Sequence, residues 1–314
     1  MKTLTVTNMY PQPDQPAFGT FVQDQVEAIR RQGVEVDVLF INGRQSKLNY
    51  LWGLFRLWWQ LLKKRYDIVH AHYVFSGIIA RLQPFIPVVV TYHGSELGVG
   101  PQHWLFMLSR AAQPFFQKVI VVSPRMLKML NPLNVLVIPC GINLEEFKPI
   151  PPAEARQQLG LPLDKPLVMW AGEHWQSVKR YAMLEQAVAL TRQSLPEVQL
   201  VLVSGQPHEM VPNYMSACDV LALTSIYEGS PMVIKEAMAC NLPIVSVDVG
   251  DVAQVIEGTT HCYIVEPTPE AVAEKLCLVL SSRQRTDGRS KIGYLSSDSI
   301  AERITRVYTE LHNG

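Results

Sequence analysis

At 314 residues the chain is too long for one typical domain and suits two of about 150. Only 18% of it is charged, below the ~25% of an average globular protein, which predicts well-buried sheets and some apolar surface for a membrane or a partner. Net charge is zero but divided: residues 1–150 hold 15 Lys+Arg against 9 Asp+Glu, a balance of +6, and residues 151–314 hold 13 against 19, a balance of −6. So modest a basic half, with no recognised nucleic-acid motif, points to an anionic acceptor or a bilayer surface instead.

Residues 4–9 read as a first strand, entered directly from Met1 with no signal-peptide h-region. A helix is predicted over 21–32, a second strand over 35–41 and a helix over 51–64. The run from Leu48 to Arg65 joins three tryptophans to a basic end, the pattern of an interfacial helix; a helix packed on a sheet explains most of the same residues. Short apolar strands follow at 68–72, 87–92, 119–122 and 135–138. Pro149-Ile150-Pro151-Pro152 excludes helix and ladder and reads as a linker. The rhythm then restarts, with strands at 167–171, 199–203, 220–224, 244–247 and 262–265. The last segment, 299–312, places Ile300, Ile304, Val307 and Leu311 on one helical face, and Ser299-Ile300-Ala301-Glu302 has the form of a capping box. The fold class expected is α/β: two Rossmann-like doubly wound parallel-sheet halves, 1–150 and 151–297, facing across a cleft beyond the carboxyl ends of their strands. The cysteines at 140, 218, 240, 262 and 277 form no CxxC pair and read as buried free thiols of a reducing cytosol. No apolar segment approaches the ~20 residues that span a bilayer, so a cytoplasmic chain is expected.

The chemistry concentrates between Glu228 and Cys240. A buried strand, a Gly229-Ser230-Pro231 turn and a helix start supply what a diphosphate needs, because first-turn amides lack intrahelical partners. Phosphate would repel Glu228 and Glu236, which instead suit the hydroxyl donors of a sugar. Phosphate beside sugar means a nucleotide sugar. No metal is expected: there is no Asp-x-Asp cluster, Asp248-Val249-Gly250-Asp251 has the wrong spacing, and the histidines show no i, i+4 pattern.

Five motifs in chain order resemble the retaining nucleotide-sugar glycosyltransferases of family 4, which have the GT-B fold. They are Gly19-Thr20-Phe21-Val22 with Gln25 ahead of Gly33-Val34-Glu35-Val36, Asp67-Ile68-Val69-His70-Ala71-His72, Val90-Thr91-Tyr92-His93-Gly94-Ser95-Glu96, Ile138-Pro139-Cys140-Gly141-Ile142-Asn143, and the paired glutamates Glu228 and Glu236. The resemblance implies that Glu228 positions the donor sugar, Glu236 holds the ribose, and the Gly229, Ser230, Pro231, Met232 and Val233 segment meets the sugar and diphosphate. It implies that Lys179 neutralises the leaving diphosphate and that His93 contacts the transferred sugar or takes part in organising the acceptor; a core histidine is the other reading of His93. Gly19 and Thr20 match the loop that approaches the diphosphate, while His70 and His72 read as strand-end packing. Where the family has an arginine after Gly172 this chain has Glu173, with Arg180 as the candidate substitute. Retention without an evident nucleophile resembles a same-face displacement in which the leaving phosphate helps deprotonate the acceptor.

The function implied is transfer of a sugar from a nucleotide diphosphate sugar to a glycan or lipid-linked acceptor. No further cofactor, no metal and no nucleic acid are expected. Peripheral membrane contact through the basic N-terminal half would place the chain at the inner face of the plasma membrane, and segment 298–314 is expected to cross back to that half. Two other readings stay open: a nucleotide-sugar epimerase, and a catalytically silent donor-binding subunit suggested by Glu173 and by the single glycine at Gly19.

Overall fold

The computed structural model describes residues 1–13, 15, 18–97, 103–172 and 175–314. They form two compact units, Met1–Gly141 with Leu295–Gly314, and Ile142–Tyr294.

The first unit alternates β1 (Lys2–Thr7), α1 (Thr20–Arg31), β2 (Glu35–Phe40), α2 (Asn49–Lys63), β3 (Ile68–His72), α3 (Val74–Arg81), β4 (Val88–Tyr92), α4 (His103–Ala112), β5 (Lys118–Val121), α5 (Pro124–Leu127) and β6 (Val135–Val137). Its six strands are parallel, in the order β2-β1-β3-β4-β5-β6. Strands β3 and β4 are buried along their whole length, which is why Val88-Val89-Val90 of β4 run apolar and β-branched instead of alternating. Helix α1 turns Val22, Val26, Ala28 and Ile29 inward and ends on Arg30 and Arg31, where the carbonyl end of the dipole favours cations.

The second unit repeats the plan with α6 (Pro152–Leu159), β7 (Leu167–Ala171), α7 (Tyr181–Ser194), β8 (Gln199–Val203), α8 (Val211–Ala217), β9 (Val220–Leu223), α9 (Met232–Ala239), β10 (Ile244–Val247), α10 (Val252–Val255), β11 (Cys262–Val265), α11 (Pro269–Ser282) and α12 (Gly288–Lys291). Its sheet runs β11-β10-β9-β7-β8, all parallel. In both sheets the first strand lies between the second and the third. The winding therefore reverses between β1 and β3 and between β7 and β9, and crevices for ligands open beyond the carboxyl ends of strands at such points. The loops after β1 and β4 carry Gly19 and His93; those after β7 and β9 carry Lys179 and Glu228.

Helix α13 (Ser297–Asn313) packs in the first unit through Ile300, Ile304, Val307 and Tyr308. Burying four such side chains contributes roughly 6–12 kcal/mol before chain entropy is subtracted. Arg31 on α1 donates Nε and Nη2 to Asp298, and Arg303 donates to the Val137 carbonyl at the end of β6.

Three sequence expectations are corrected here. The break between units falls at Gly141/Ile142, not 150/151, because residues 142–150 are fastened to the second unit. Arg289 donates to the carbonyls of Leu144 and Phe147 at 2.7 and 2.6 Å, Phe147 is buried, and the Ile150 amide donates to Ser216 Oγ. Pro151 and Pro152 then cap and begin α6, where a missing N–H leaves no helical bond unmade. The second break lies at Tyr294/Leu295 rather than 297/298, with Leu295 and Ser297 both buried. The cap of α13 is Ser296, whose Oγ accepts from the Ser299 amide at 3.2 Å; the Ser299–Glu302 pattern lies inside the helix.

Candidate active site

In the second unit, β9 is followed by buried Thr224 and Ser225, and the chain turns through Glu228-Gly229-Ser230 into α9. Glu228 Oε1 accepts from Lys179 Nζ and from Ser225 Oγ, each at 2.7 Å. The two residues named for opposite ends of the donor thus meet as a partly buried ion pair. Lys179 closes the loop after β7, and its carbonyl accepts from Thr224 Oγ1 at 2.8 Å, so the two loops are laced together. The remaining ammonium N–H groups can serve an anion. Pro231, expected among the donor-binding residues, has no N–H; its extended backbone forms the N-cap of α9, and the first-turn amides of Met232 and Val233 lack intrahelical partners. Glu236 lies on α9, buried.

Arg180 departs from expectation. It takes a left-handed backbone (φ 49°), and its guanidinium donates to the carbonyls of Thr224 and Ser225 at 2.7 and 3.1 Å. Its charge is held on the end of β9, where it braces the loop. Glu173 lies outside the described residues.

Behind the turn sits a polar cluster that sequence reasoning missed. Ser230 Oγ donates to Asp251 Oδ2 at 2.6 Å and accepts from Lys235 Nζ at 2.7 Å; Lys235 is wholly buried and stands 4.0 Å from the same carboxylate. Burial lifts the Asp251 carboxyl above its ordinary range, an effect opposed by the Lys235 charge and the Ser230 hydrogen bond. The serine side chain therefore anchors the turn from inside. Gly250, at φ 58°, brings the Asp251 loop so close that a Cβ there would stand 2.7 Å from the Gly229 carbonyl oxygen. A lysine directly after the apolar Met232-Val233-Ile234 was the available signal, since a buried ammonium requires a partner.

In the first unit, Gly19 caps α1 at φ 80°, and a Cβ there would lie 2.5 Å from the Met9 carbonyl carbon. The close approach that demands glycine is thus to the chain's own loop after β1. Thr20, the first residue of α1, is half-exposed. Beside it the Phe21 ring packs 4.9 Å from that of His93. His93 Nε2 shares a 2.9 Å hydrogen bond with His72 Nδ1, and its Nδ1 lies 3.7 Å from Cys140 Sγ. Both ring nitrogens of His93, the residue expected to contact the sugar, thus face partners within the unit. Burial pushes His72 well below the usual imidazole range and His70 down to about 3, so both are neutral. His70 is held by Tyr308 and by Thr91 Oγ1, the packing role expected of it. His72, expected only to pack, is also the residue that orients His93. The loop is clamped from below by buried Glu96, which accepts from the amides of His93 and Gly94 at 3.2 and 3.0 Å.

Residues 18–146 match the family described as Glycosyltransferase Family 4, and residues 181–295 match Glycosyl transferases group 1. The chain is a family 4-like glycosyltransferase of group 1. This glycosyltransferase is 25% identical to TuaC of Bacillus subtilis, named as a teichuronic acid biosynthesis glycosyltransferase, with 88% of each chain covered. It is 23% identical to the UDP-Gal:alpha-D-GlcNAc-diphosphoundecaprenol alpha-1,3-galactosyltransferase of Escherichia coli, over 68% of this chain and 66% of that one. Among solved structures, sucrose-phosphate synthase from Thermosynechococcus elongatus superposes with a TM-score of 0.85 at 22% identity over the whole of both chains. Anabaena HepE in complex with UDP-glucose does so at 0.78 and 17% identity, over 98% of this chain and 99% of that one. The shared fold is GT-B, built from two Rossmann-like parallel-sheet domains.

Proposed function

We propose that this glycosyltransferase moves a sugar, with retention of anomeric configuration, from a nucleotide diphosphate sugar to a glycan or lipid-linked acceptor, using no metal ion and no further cofactor. The observation that carries the reading is the Lys179–Glu228 pair at the carboxyl end of β9, beside the first turn of α9. The diphosphate lies against the amides of Gly229, Ser230, Met232 and Val233, with partial positive charge behind them. Glu228 accepts from a hydroxyl of the donor sugar and fixes its orientation, a contribution of position and not of covalent attack. Glu236 takes the ribose hydroxyls. As the C1–O bond to the diphosphate breaks, negative charge grows on the leaving oxygen, and the spare N–H groups of Lys179 stabilise it without a cation. The acceptor hydroxyl forms the new C1–O bond on the same face and passes its proton to the departing phosphate. His93, hydrogen-bonded to His72 and packed against Phe21, contacts the transferred sugar or helps to organise the acceptor. The UDP-glucose in the HepE structure and the UDP-Gal and diphosphoundecaprenol in the Escherichia coli enzyme's name support this choice of donor and acceptor classes.

Thermal-shift measurements with a panel of nucleotide diphosphate sugars test the donor site, because a ligand that binds only the folded state raises the midpoint by mass action. One or more nucleotide sugars should stabilise the wild type, and Glu236→Ala should lose most of that shift. A panel with no shift, or a shift equal in the variant, contradicts the reading.

A further inference from the structure

Helix α2 meets its own unit through a narrow line, Gly53 and Leu57, the residues it buries. A Cβ on Gly53 would lie 2.5 Å from Ile41 Cδ1, so this line is in close contact. At ~100° per residue, Leu51, Trp52, Phe55, Trp59 and Leu62 form a second apolar stripe roughly opposite the first. That stripe is bare: Trp52 is 67%, Phe55 74% and Leu62 80% exposed. An ordinary surface helix carries charge there. Phe75 of α3 contacts both Tyr50 of α2 and Trp104 of α4, so exposed Trp104 and Met107 continue the apolar surface beyond the start of α2.

The charge around the stripe has one sign. Residues 38–66 contain six Lys+Arg and no Asp or Glu. Arg44, Lys47, Arg56, Lys63, Lys64 and Arg65 are all exposed. Lys63 extends along the stripe, its Nζ 4.4 Å from the centre of the Trp59 ring, and Lys64 also pairs with Asp37. Tryptophans beside lysines, with no acidic residue among them, complement a plane that is apolar below and anionic above. A 15-residue helix is about 22 Å long, short of the ~30 Å hydrocarbon core. Among the described residues no helix is long and apolar enough to cross a membrane.

We infer that the outer stripe of α2, continued by Trp104 and Met107, docks the protein on the surface of an anionic phospholipid bilayer, lying in the plane of the headgroups. Trp52, Phe55 and Trp59 enter the headgroup–acyl boundary, and Lys63 and Arg65 meet lipid phosphates. The inference goes beyond sugar transfer, and its failure leaves that reading intact.

Co-sedimentation of the full chain with vesicles tests it. The wild type should pellet with phosphatidylglycerol vesicles and at least about tenfold less with phosphatidylcholine ones. The combined variant Trp52→Ser, Phe55→Ser, Trp59→Ser should keep the wild-type thermal midpoint and nucleotide-sugar response while binding about tenfold less to phosphatidylglycerol. Lys63→Glu with Arg65→Glu should abolish the preference between the two lipids. Three results overturn the inference: no binding of the wild type to phosphatidylglycerol, equal binding by the apolar variant, or an α2-dependent dimer in sedimentation velocity that does not bind vesicles.

Discussion

Lys179 Nζ stands 2.7 Å from Glu228 Oε1, joining the loop after β7 to the loop after β9 across 49 residues of sequence. The pair is neither open to solvent nor sealed from it, with side-chain exposures of 22% and 17%. It can therefore hold its geometry and still be reached from solvent. Lys179→Met and Glu228→Gln should each lower kcat/KM by about a hundredfold. Because they share one function, the double variant should fall well short of the product of the two losses, by a coupling of about 1–2 kcal/mol. Strictly multiplicative losses in steady-state assays would mean that the two groups act separately.

The buried Lys235 should matter first for stability. Lys235→Met strips the partner from Asp251 and Ser230, and breaking such a pair costs about 3–5 kcal/mol. Adding Asp251→Asn removes the orphaned charge and should recover part of that loss. Urea unfolding measures both; a change below about 1 kcal/mol for the single variant would show that the cluster does not anchor the turn.

Glu96 makes the stability of the first unit depend on pH. Burial raises its carboxyl to about 7, against opposing hydrogen bonds from the loop amides. Below its ordinary carboxylate range the group is protonated whether folded or unfolded. From there up to about pH 7 the unfolded chain ionises while the folded one stays neutral, so stability falls by up to about 3 kcal/mol. Chemical denaturation across this interval should show the fall in the wild type. In Glu96→Gln its share should be absent; identical pH curves for the two proteins would contradict the assignment.

Gly250→Ala places a methyl group 2.7 Å from the Gly229 oxygen on a backbone at φ 58°. Strain of roughly 1–3 kcal/mol should be relieved in part by pushing the Glu228–Gly229 turn outward. The expected kinetic result is a several-fold rise in KM for the donor, along with a lower thermal midpoint. An unchanged KM would separate this loop from donor binding.

The strands were readable because buried parallel strands need continuous apolar, β-branched runs, and Val88-Val89-Val90-Thr91-Tyr92 could be little else. The Glu228–Glu236 segment was readable because strand, turn and helix start lie consecutively. Partners brought together by the fold were not. Asp251 follows Ser230 by 21 residues, and His72 precedes His93 by the same number, so neither contact leaves a local pattern. Arg180 shows a different limit: its position beside Lys179 was evident, but the direction of its guanidinium depends on a left-handed residue at the start of α7. The prolines at 149, 151 and 152 read as the linker between the halves, but no local pattern could show that Arg289 holds the preceding residues to the second unit and moves the break to Gly141/Ile142.

The fate of the anomeric carbon is the most direct test of the account. A nucleotide diphosphate sugar chosen from the thermal-shift panel, labelled with carbon-13 at C1, can be followed by NMR with wild-type protein, Glu228→Ala and a hydroxyl acceptor. The account predicts release of nucleoside diphosphate and a product whose C1 keeps the donor's configuration, with Glu228→Ala slowed by at least about a hundredfold. A product of inverted configuration, a donor converted to its epimer, or a donor returned unchanged by wild type would contradict it.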